Sequence, residues 1–544
     1  MRRQKKGTER KYDSHIHFNH PNTRNSADWS LKNFSFFPMP SYSHQRAILS
    51  LTERLVSDGH ELFVISPNAV PGLESHANYT YVDVSFAYEY FGDPDKDKNK
   101  DETADLQTRF SKWELPRLCV AVADIARKEF ESEAFRHFKR RVETERIRFD
   151  AAIIENWFIP FTCALTRLIS GSTPIISMTT VNADIMAEDS LGSITHLSFV
   201  PAIFSEYTHR MSLWQKIENW IYHFYYTHKV KNAMGSAARS YFRDNFGPSS
   251  ERLVDGCLSN ASLSIVVSNS VYSYPRLLGP NVIETGPLHL KPPGRLPKNL
   301  QDWLDGAEKG VIFFSLGSNM RSKSLPVVAR DNLLKFFKEL PKGYRVLWKW
   351  ELDGRIPGQS NNILTQKWMP QESVLAHPKV RVFITQGGLQ SFQEAVHYGV
   401  PTVGIPWFGD QEFIASKMVD AGVGAQLLPS DLYSYEKIKA AIDMVLYDER
   451  CLKNMQRLSA ISRDFTAQAM DKAVFWVEHV ARHGGASHLR PATADTTLFQ
   501  YFCLDIITVI LFLSSLIMFA TYKVSRFVIS FMISNKLTKK IKKS

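Results

Sequence analysis

The sequence predicts an α/β protein made of two Rossmann-like domains facing a cleft, followed by a helix near the C-terminus that is apolar enough to cross a membrane. Three observations carry this. From Phe34 onward short apolar runs alternate with amphipathic stretches; a Pro-rich segment at 288–300 interrupts the alternation, which then restarts; and residues 502–522, FCLDIITVILFLSSLIMFATY, are almost free of charge. Strands alternating with helices argue for parallel sheets of βαβ units. Ligands of such open sheets bind outside the carboxyl ends of the strands.

In the first domain, residues 31–287, the runs are FSFF (34–37), ELFVIS (61–66), AAII (151–154), PIISM (174–178) and SIVVS (264–268). The region 185–250, with SLWQKIENWIYHFYYTHKV, is aromatic and helical; it reads either as an insertion lining an apolar pocket or as plain core. The segment LHLKPPGRLPKNL (288–300) is the linker. In the second domain, from 301 to about 450, the runs are VIFFSL (311–316), YRVLWKW (344–350), VRVFIT (380–385) and PTVGIP (401–406).

From Ile506 to Tyr522 the uncharged stretch reaches ~26 Å as a helix, enough to span with help from its flanks. Asp505 falls at the edge, where a charge costs less than at the centre. A buried core helix is the alternative, disfavoured by the basic tail 523–544. That tail places the C-terminus in the cytosol and the body in a lumen. Its end, Lys540-Ile541-Lys542-Lys543-Ser544, is similar to dilysine signals for retrieval to the endoplasmic reticulum; binding to anionic lipid is the other reading. A lumenal body calls for a signal peptide, and residues 1–30, a basic polar extension, contain no apolar run of that kind.

The formal net charge is +11, but residues 1–30 carry +4 and residues 523–544 carry +7, so the body is neutral. The body thus carries no net excess that would argue for a phosphate-tracking surface, and this argues against nucleic acid as a partner. Five cysteines, Cys119, Cys163, Cys257, Cys451 and Cys503, show no zinc spacing and specify no disulfide framework. The run Asp93-Pro94-Asp95-Lys96-Asp97 lacks the glycine and glutamate of a calcium loop and reads as solvated. His15, His17 and His20 lie in a polar extension. Asn33, Asn78 and Asn260 begin N-x-S/T sequons, usable only on a translocated chain.

The most telling stretch is ITQGGLQSFQEA (384–395). A β-rich run enters Gly387-Gly388 and a helix follows from about Ser391 to Tyr398. Absent side chains let backbone amides touch a ligand, and a helix N-terminus favours an anion. Ser391-x-x-Glu394 also has the spacing of a capping box, so Glu394 alone could be structural.

The segment from Trp368 to Gln411, WMPQESVLAHPKVRVFITQGGLQSFQEAVHYGVPTVGIPWFGDQ, resembles the sugar-nucleotide signature of the membrane-bound animal UDP-glycosyltransferases. The similarity runs from FPMPSYSHQ (37–45) through GVIFFSLGSN and HLRPA to the apolar tail, and is most like insect members. The resemblance implies a GT-B fold with an acceptor domain, a UDP-sugar domain and a helical segment at 451–498 that packs back on the first domain. It places Trp368 on uracil with Gln371 beside it, Ser318 and Thr385-Gln386-Gly387-Gly388 on the diphosphate, Glu394 on the ribose hydroxyls, Asp410 and Gln411 on the sugar, and Gly317, Gln390 and Ser391 elsewhere in the donor site. A flat π face suits a base, and a carboxylate accepts from two hydroxyls. Many relatives have His where Gln386 stands. Ser268 takes the place where glucuronate-transferring members often carry a basic residue, which leans towards glucose.

An acceptor hydroxyl attacking an anomeric carbon needs a base with a pKa near working pH. His44, after the first strand and Pro38-Met39-Pro40, opens a helix over 45–57 whose apolar face is Ile48, Leu51 and Leu55; the helix N-terminus disfavours imidazolium. The family pairs this His with an Asp; FDAAIIEN puts Glu155 there, one methylene longer. The expected reaction is inverting transfer of a hexose from a UDP-sugar to a small lipophilic acceptor, with no metal or other cofactor, by a protein of the endoplasmic reticulum membrane that forms a homo-oligomer in one reading. The alternatives are glucuronate as donor sugar, or a UDP-sugar-binding protein without catalysis.

Overall fold

The computed structural model describes residues 30–90, 111–169, 171, 173–182, 190–318 and 320–541. The extension up to residue 29 with its three histidines, and the acidic run at 93–97, lie outside these residues.

The first sheet contains β1 (Lys32–Phe36), β2 (Glu61–Ser66), β3 (Tyr79–Asp83), β4 (Ala151–Glu155), β5 (Ile175–Thr179), β6 (Ala261–Val266) and β7 (Val282–Glu284), in the order β3-β2-β1-β4-β5-β6-β7. The second contains β8 (Gly310–Ser315), β9 (Tyr344–Lys349), β10 (Ile363–Gln366), β11 (Val380–Thr385), β12 (Thr402–Gly404) and β13 (Gly424–Gln426), in the order β10-β9-β8-β11-β12-β13. All pairings in both are parallel. The order reverses between β1 and β4 in one sheet and between β8 and β11 in the other. These are the topological switch points where the strand ends part and leave room for a ligand.

Central strands are buried on both faces, which is why they read as continuous apolar runs. In β4, Ala152 and Ile154 join one core while Ala151 and Ile153 join the core on the opposite face. The strands that the sequence did not single out, β3, β7, β10 and β13, are the sheet edges. They are short, and YTYVD, VIE, ILTQ and GAQ mix polar with apolar residues, as edges exposed to solvent do.

Seven helices matter below: α1 (Tyr42–Ser57), α2 (Leu213–Phe246), α3 (Leu389–Tyr398), α4 (Gln411–Asp420), α5 (Glu449–Thr466), α6 (Ala469–His483) and α7 (Leu504–Ile541). In α1, Ile48, Leu51 and Leu55 are fully buried, as the pattern predicts. In the segment expected to return to the first domain, α5 stays with the second lobe: Met455 packs with Phe392 and Val396 of α3. The crossing comes after Ser462, whose Oγ is 2.5 Å from the Tyr272 hydroxyl. α6 then places Ala473, Val477 and Val480 in the core behind β4.

α7 is longer than the span at 502–522 suggested. The helix continues through the basic positions Lys523 and Arg526 to Ile541, and its window Leu504–Leu537 is long and apolar enough to cross a membrane. The described part of the tail is therefore helical. A disulfide joins Cys163 to Cys257, 94 residues apart, with Cα atoms 5.6 Å apart. No spacing rule reads so distant a pair, which is why the cysteine pattern specified no framework.

Candidate active site between the two lobes

β1 ends at Phe36, and the chain turns through Pro38–Ser41 into α1, so His44 stands in the first helical turn at the switch point. β4, the neighbour of β1, ends on Glu155. His44 Nδ1 lies 2.8 Å from Glu155 Oε1 and 2.9 Å from the Thr180 hydroxyl, just past β5. The extra methylene of glutamate thus closes the distance. With Nδ1 held, Nε2 is the ring nitrogen left for a substrate.

The ionisation of His44 departs from the sequence-based expectation. Burial pulls its pKa down, but the hydrogen bond and charge of Glu155 and the charge of Asp410 outweigh that, and the net shift is upward. The carboxylates prevail over the helix N-terminus.

On the facing lobe, the turn after β8 carries Gly317 and Ser318, and the turn after β11 carries Gln386-Gly387-Gly388 into α3. The two glycines have different reasons. Gly387 sits at φ +86°, and a Cβ there would come within 3.1 Å of the Gln411 carbonyl, so conformation and packing both demand it. Gly388 has φ −66° as the N-cap of α3, and a Cβ would meet only the Gln386 amide at 3.4 Å. Its absence leaves open the space before the helix. Gly388 offers no side chain to cap α3, although the Asp410 carboxylate meets the Leu389 N–H, and among the described residues the buried Thr385 Oγ1, Gln386 Oε1 and Gln390 Oε1 have no hydrogen-bond partner. Gln390 Nε2 reaches across the cleft to the Ser43 carbonyl.

The capping-box reading of Ser391 and Glu394 is overturned. The helix begins at Leu389, two residues earlier than the pattern suggested, so Glu394 lies well inside it and fully buried. It accepts from Gln371 Nε2 at 2.6 Å and from Arg46 of α1 at 2.5 Å, with His289 Nε2 3.5 Å away. Gln371 also donates to Ser391 at 3.1 Å. The other arm of Arg46 holds Glu372. Burial alone would raise Glu394, yet Arg46, His289 and Gln371 bring its pKa down to about 2. Glu372 goes the other way, to about 7, because burial and the neighbouring Glu394 charge outweigh Arg46. His289, Glu372 and Glu394 have ligand atoms within 4.8 Å of one another, and the Arg46 cation lies on both carboxylates.

Asp410 begins α4 without capping it through its side chain. Burial lifts its pKa to about 6, opposed by His44 and by the backbone N–H groups of Leu389 and Asp410. Gln411 Oε1 accepts from Trp407 N at 2.8 Å, which fixes its amide beside Asp410. Trp368 is 64 % exposed, with the Lys349 ammonium 5.8 Å from its ring centre and Tyr42 edge-on at 6.4 Å.

A cavity of about 340 Å³ unites these groups. Of the residues singled out from sequence, it is lined by His44, Gly317, Ser318, Trp368, Gln371, Gln386, Gly388, Gln390, Ser391, Asp410 and Gln411. Glu155, Thr385, Gly387 and Glu394 stand behind this lining. The remaining wall on the first lobe includes Met39, Leu115, Trp157, Val181 and Phe204. From the aromatic region 190–250, Phe204 is the aromatic that reaches it. Tyr222 and Tyr226 are core, and Trp214 and Trp220 face outward. Ser268 is buried, donates to Asn182 and is not among the residues lining the cavity.

Sequence reasoning missed Arg46, Glu372, Thr180 and Lys349. Thr180 and Lys349 sit at carboxyl ends of strands, where the switch-point rule could have found them; Lys349 Nζ donates to the Gly317 carbonyl at 2.8 Å and so holds that turn. Arg46 gives no local signal, since its partners are 326 and 348 residues away.

The family described as "UDP-glucoronosyl and UDP-glucosyl transferase" matches residues 36–540. The chain belongs to that family. The transferase is 30% identical over 528 residues to UDP-glycosyltransferase UGT5 of Dactylopius coccus, covering 95% of this chain and 97% of the relative. It is 29% identical over 505 residues to human UDP-glucuronosyltransferase 2B7, covering 89% and 90%. Among solved structures it resembles a UDP-glucose: anthocyanidin 3-O-glucosyltransferase in complex with UDP, at TM-score 0.54 and 16% identity over 82% of this chain and 99% of that one. A UDP-glucosyltransferase from Polygonum tinctorium capable of glucosylating indoxyl gives TM-score 0.51 and 16% identity over 84% and 98%. The transferase is a UDP-glycosyltransferase with the GT-B fold.

Proposed function

We propose that the transferase moves a neutral hexose, glucose first, from its UDP-sugar to a hydroxyl of a small lipophilic acceptor with inversion at the anomeric carbon. The carrying observation is that the His44–Glu155 pair of one lobe and the first turn of α3 from the other line or flank a single cavity. Uracil stacks on Trp368. The diphosphate lies at the N-terminus of α3 with Ser318, Gln386 and Gln390, where helix N–H groups and partial positive charge need no divalent ion. The ribose hydroxyls take Glu394 from Arg46, which retains Glu372, so the guanidinium keeps a counter-charge while it yields its place. Asp410 and Gln411 accept and donate to sugar hydroxyls.

In the reacting complex the acceptor oxygen attacks the anomeric carbon on the face opposite UDP. The C–O bond to the diphosphate breaks, UDP leaves as the anion, and the acceptor proton passes to His44 Nε2. Glu155 stabilises the imidazolium that forms, the role a carboxylate serves in other His-acid pairs. Met39, Leu115, Trp157, Val181 and Phe204 give the acceptor an apolar wall. A neutral sugar is favoured because Asp410 would repel a glucuronate carboxylate; among the described residues lining the cavity, Lys349 and Arg46 are the lysine and arginine, and both are engaged elsewhere. Incubation with UDP-glucose or UDP-glucuronate and a panel of phenols tests this. β-Glucoside formed from UDP-glucose is expected, and exclusive use of UDP-glucuronate would contradict it.

Glu155→Gln gives a pH test. The reaction needs neutral imidazole, so kcat/KM rises as pH climbs through the His44 pKa. Glu155, with Asp410, holds that pKa up against burial. The amide removes the largest upward influence, so the acid limb should move to lower pH while the plateau rate falls, because a weaker base with an unstabilised cation is a poorer catalyst.

We infer that the body faces an oxidising lumen, the setting in which a disulfide such as Cys163–Cys257 persists, with α7 as its span. Asn260 is exposed, whereas Asn33 lies fully buried in β1. An endoglycosidase shift of the expressed chain should shrink in Asn260→Gln and stay unchanged in Asn33→Gln.

A further inference from the structure

The outer face of α2 is apolar where a soluble domain would be polar. Leu213, Trp214, Ile217, Trp220 and Ile221 are 70, 78, 41, 49 and 50 % exposed. With Phe224 they fall within an arc of about 120° on a helix that turns about 100° per residue. The helix is pinned so that this face must look outward. Ser212 and Gln215 form a capping box at its first turn, and Asn219 on the inner side holds the carbonyls of Leu197 and Val200 at 2.8 and 3.0 Å and the Ala202 N–H at 2.9 Å. Tyr222, Tyr226 and Val230 complete the buried side. The exposure of Trp214 is therefore a property of the folded helix and not of a fraying end.

The face is continuous with the apolar tail. The Phe224 ring lies 6.2 Å from Phe502, and α7 starts at Leu504. Phe199, 55 % exposed beneath the Lys216 ammonium of α2, extends the patch. The acid between 213 and 224, Glu218, flanks this arc and is paired with Lys112 at 2.8 Å, and His228, Lys229 and Lys231 follow. Tryptophans flanked by basic residues on one helical face match the chemistry of a bilayer's headgroup zone, where an indole keeps one end wet and buries the rest.

We propose that residues 213–224 dock on the phospholipid leaflet from which α7 emerges, seating Trp214 and Trp220 at headgroup level and fixing the first lobe against the membrane. This rests on α7 being a membrane span. It would hold the acceptor lobe, whose Phe204 lines the cavity shortly ahead of α2, at the surface where lipophilic acceptors concentrate.

The test uses the full chain reconstituted into phosphatidylcholine vesicles with brominated acyl chains, which quench indole emission over short range. α7 contains no tryptophan, so quenching must come from the body. Wild type should show a quenchable fraction, and Trp214→Phe with Trp220→Phe should remove most of it while UDP affinity, which reports folding, stays the same. Equal quenching in wild type and the double variant, or none in either, would overturn the docking while leaving the span intact if the chain still floats with vesicles after alkaline carbonate. Failure to float would overturn the span and the docking with it. Tryptophan shielding that grows with protein-to-lipid ratio and ignores bromination would assign the face to a second copy of the chain and also overturn the proposal.

Discussion

His44→Ala is expected to lower kcat about 10²- to 10⁴-fold, the usual contribution of a positioned general base, with UDP affinity within about twofold of wild type. The separation follows from geometry. His44 belongs to α1 and reaches the cavity from the first lobe, held by Glu155 and Thr180, whereas the proposed UDP contacts belong to turns after β8 and β11 and to Trp368. Removing the imidazole leaves Glu155 buried without its partner; Thr180 Oγ1, 3.5 Å from Glu155 Oε1, is the remaining donor nearby. Some loss of thermal stability should accompany the loss of rate. Single-turnover measurements separate the two, because a mere structural effect would weaken UDP binding in step with catalysis. Unchanged turnover in a folded variant would remove His44 from the chemistry.

Glu394→Ala should have its largest effect on the donor. Hydrogen bonds to a charged group contribute roughly 1.5–3 kcal/mol each, so losing the two ribose contacts should weaken UDP at least about tenfold, visible by calorimetry and as a raised KM for UDP-sugar. Two things make the observed loss smaller than the sum. The substitution also frees the site of Arg46, which the ribose would otherwise have to displace, and Glu372 continues to hold that guanidinium. Uracil affinity should fall less than that of uridine, since Trp368 lies outside this network and Gln371 keeps its bond to Ser391. If the loss were the same for uracil, uridine and UDP, Glu394 would be acting through the fold and not on the ribose.

What the sequence made legible follows from where the information resides. Central strands announce themselves because both faces are buried, as in β2 and β11, whose limits coincide with ELFVIS and VRVFIT. Edge strands do not, since β10 and β13 hold few residues and each ends on polar ones, Thr365 and Gln366 in the first and Gln426 in the second. The switch-point loops were readable because glycine and proline mark them. Glu394 was ambiguous because Ser-x-x-Glu fits a cap as well as a ligand, and the decision depended on a helix start two residues earlier, set by Gly388. Arg46 could not be read at all: its meaning lies in glutamates brought from the other lobe by tertiary packing. The disulfide was hidden for the same reason, with 94 residues between partners. In α2, aromatic content was visible, but which side of each turn faced inward depended on Asn219 and the loop it clamps.

The most direct test of the account is a structure of the transferase with UDP-2-deoxy-2-fluoroglucose and a phenolic acceptor. It should show Arg46 withdrawn from Glu394, ribose hydroxyls in its place, and the acceptor oxygen ~3–3.5 Å from the anomeric carbon and ~2.6–3.2 Å from His44 Nε2. A diphosphate lying away from the Gln386–Ser391 turn, or an anomeric carbon directed away from the His44 ring, would contradict it.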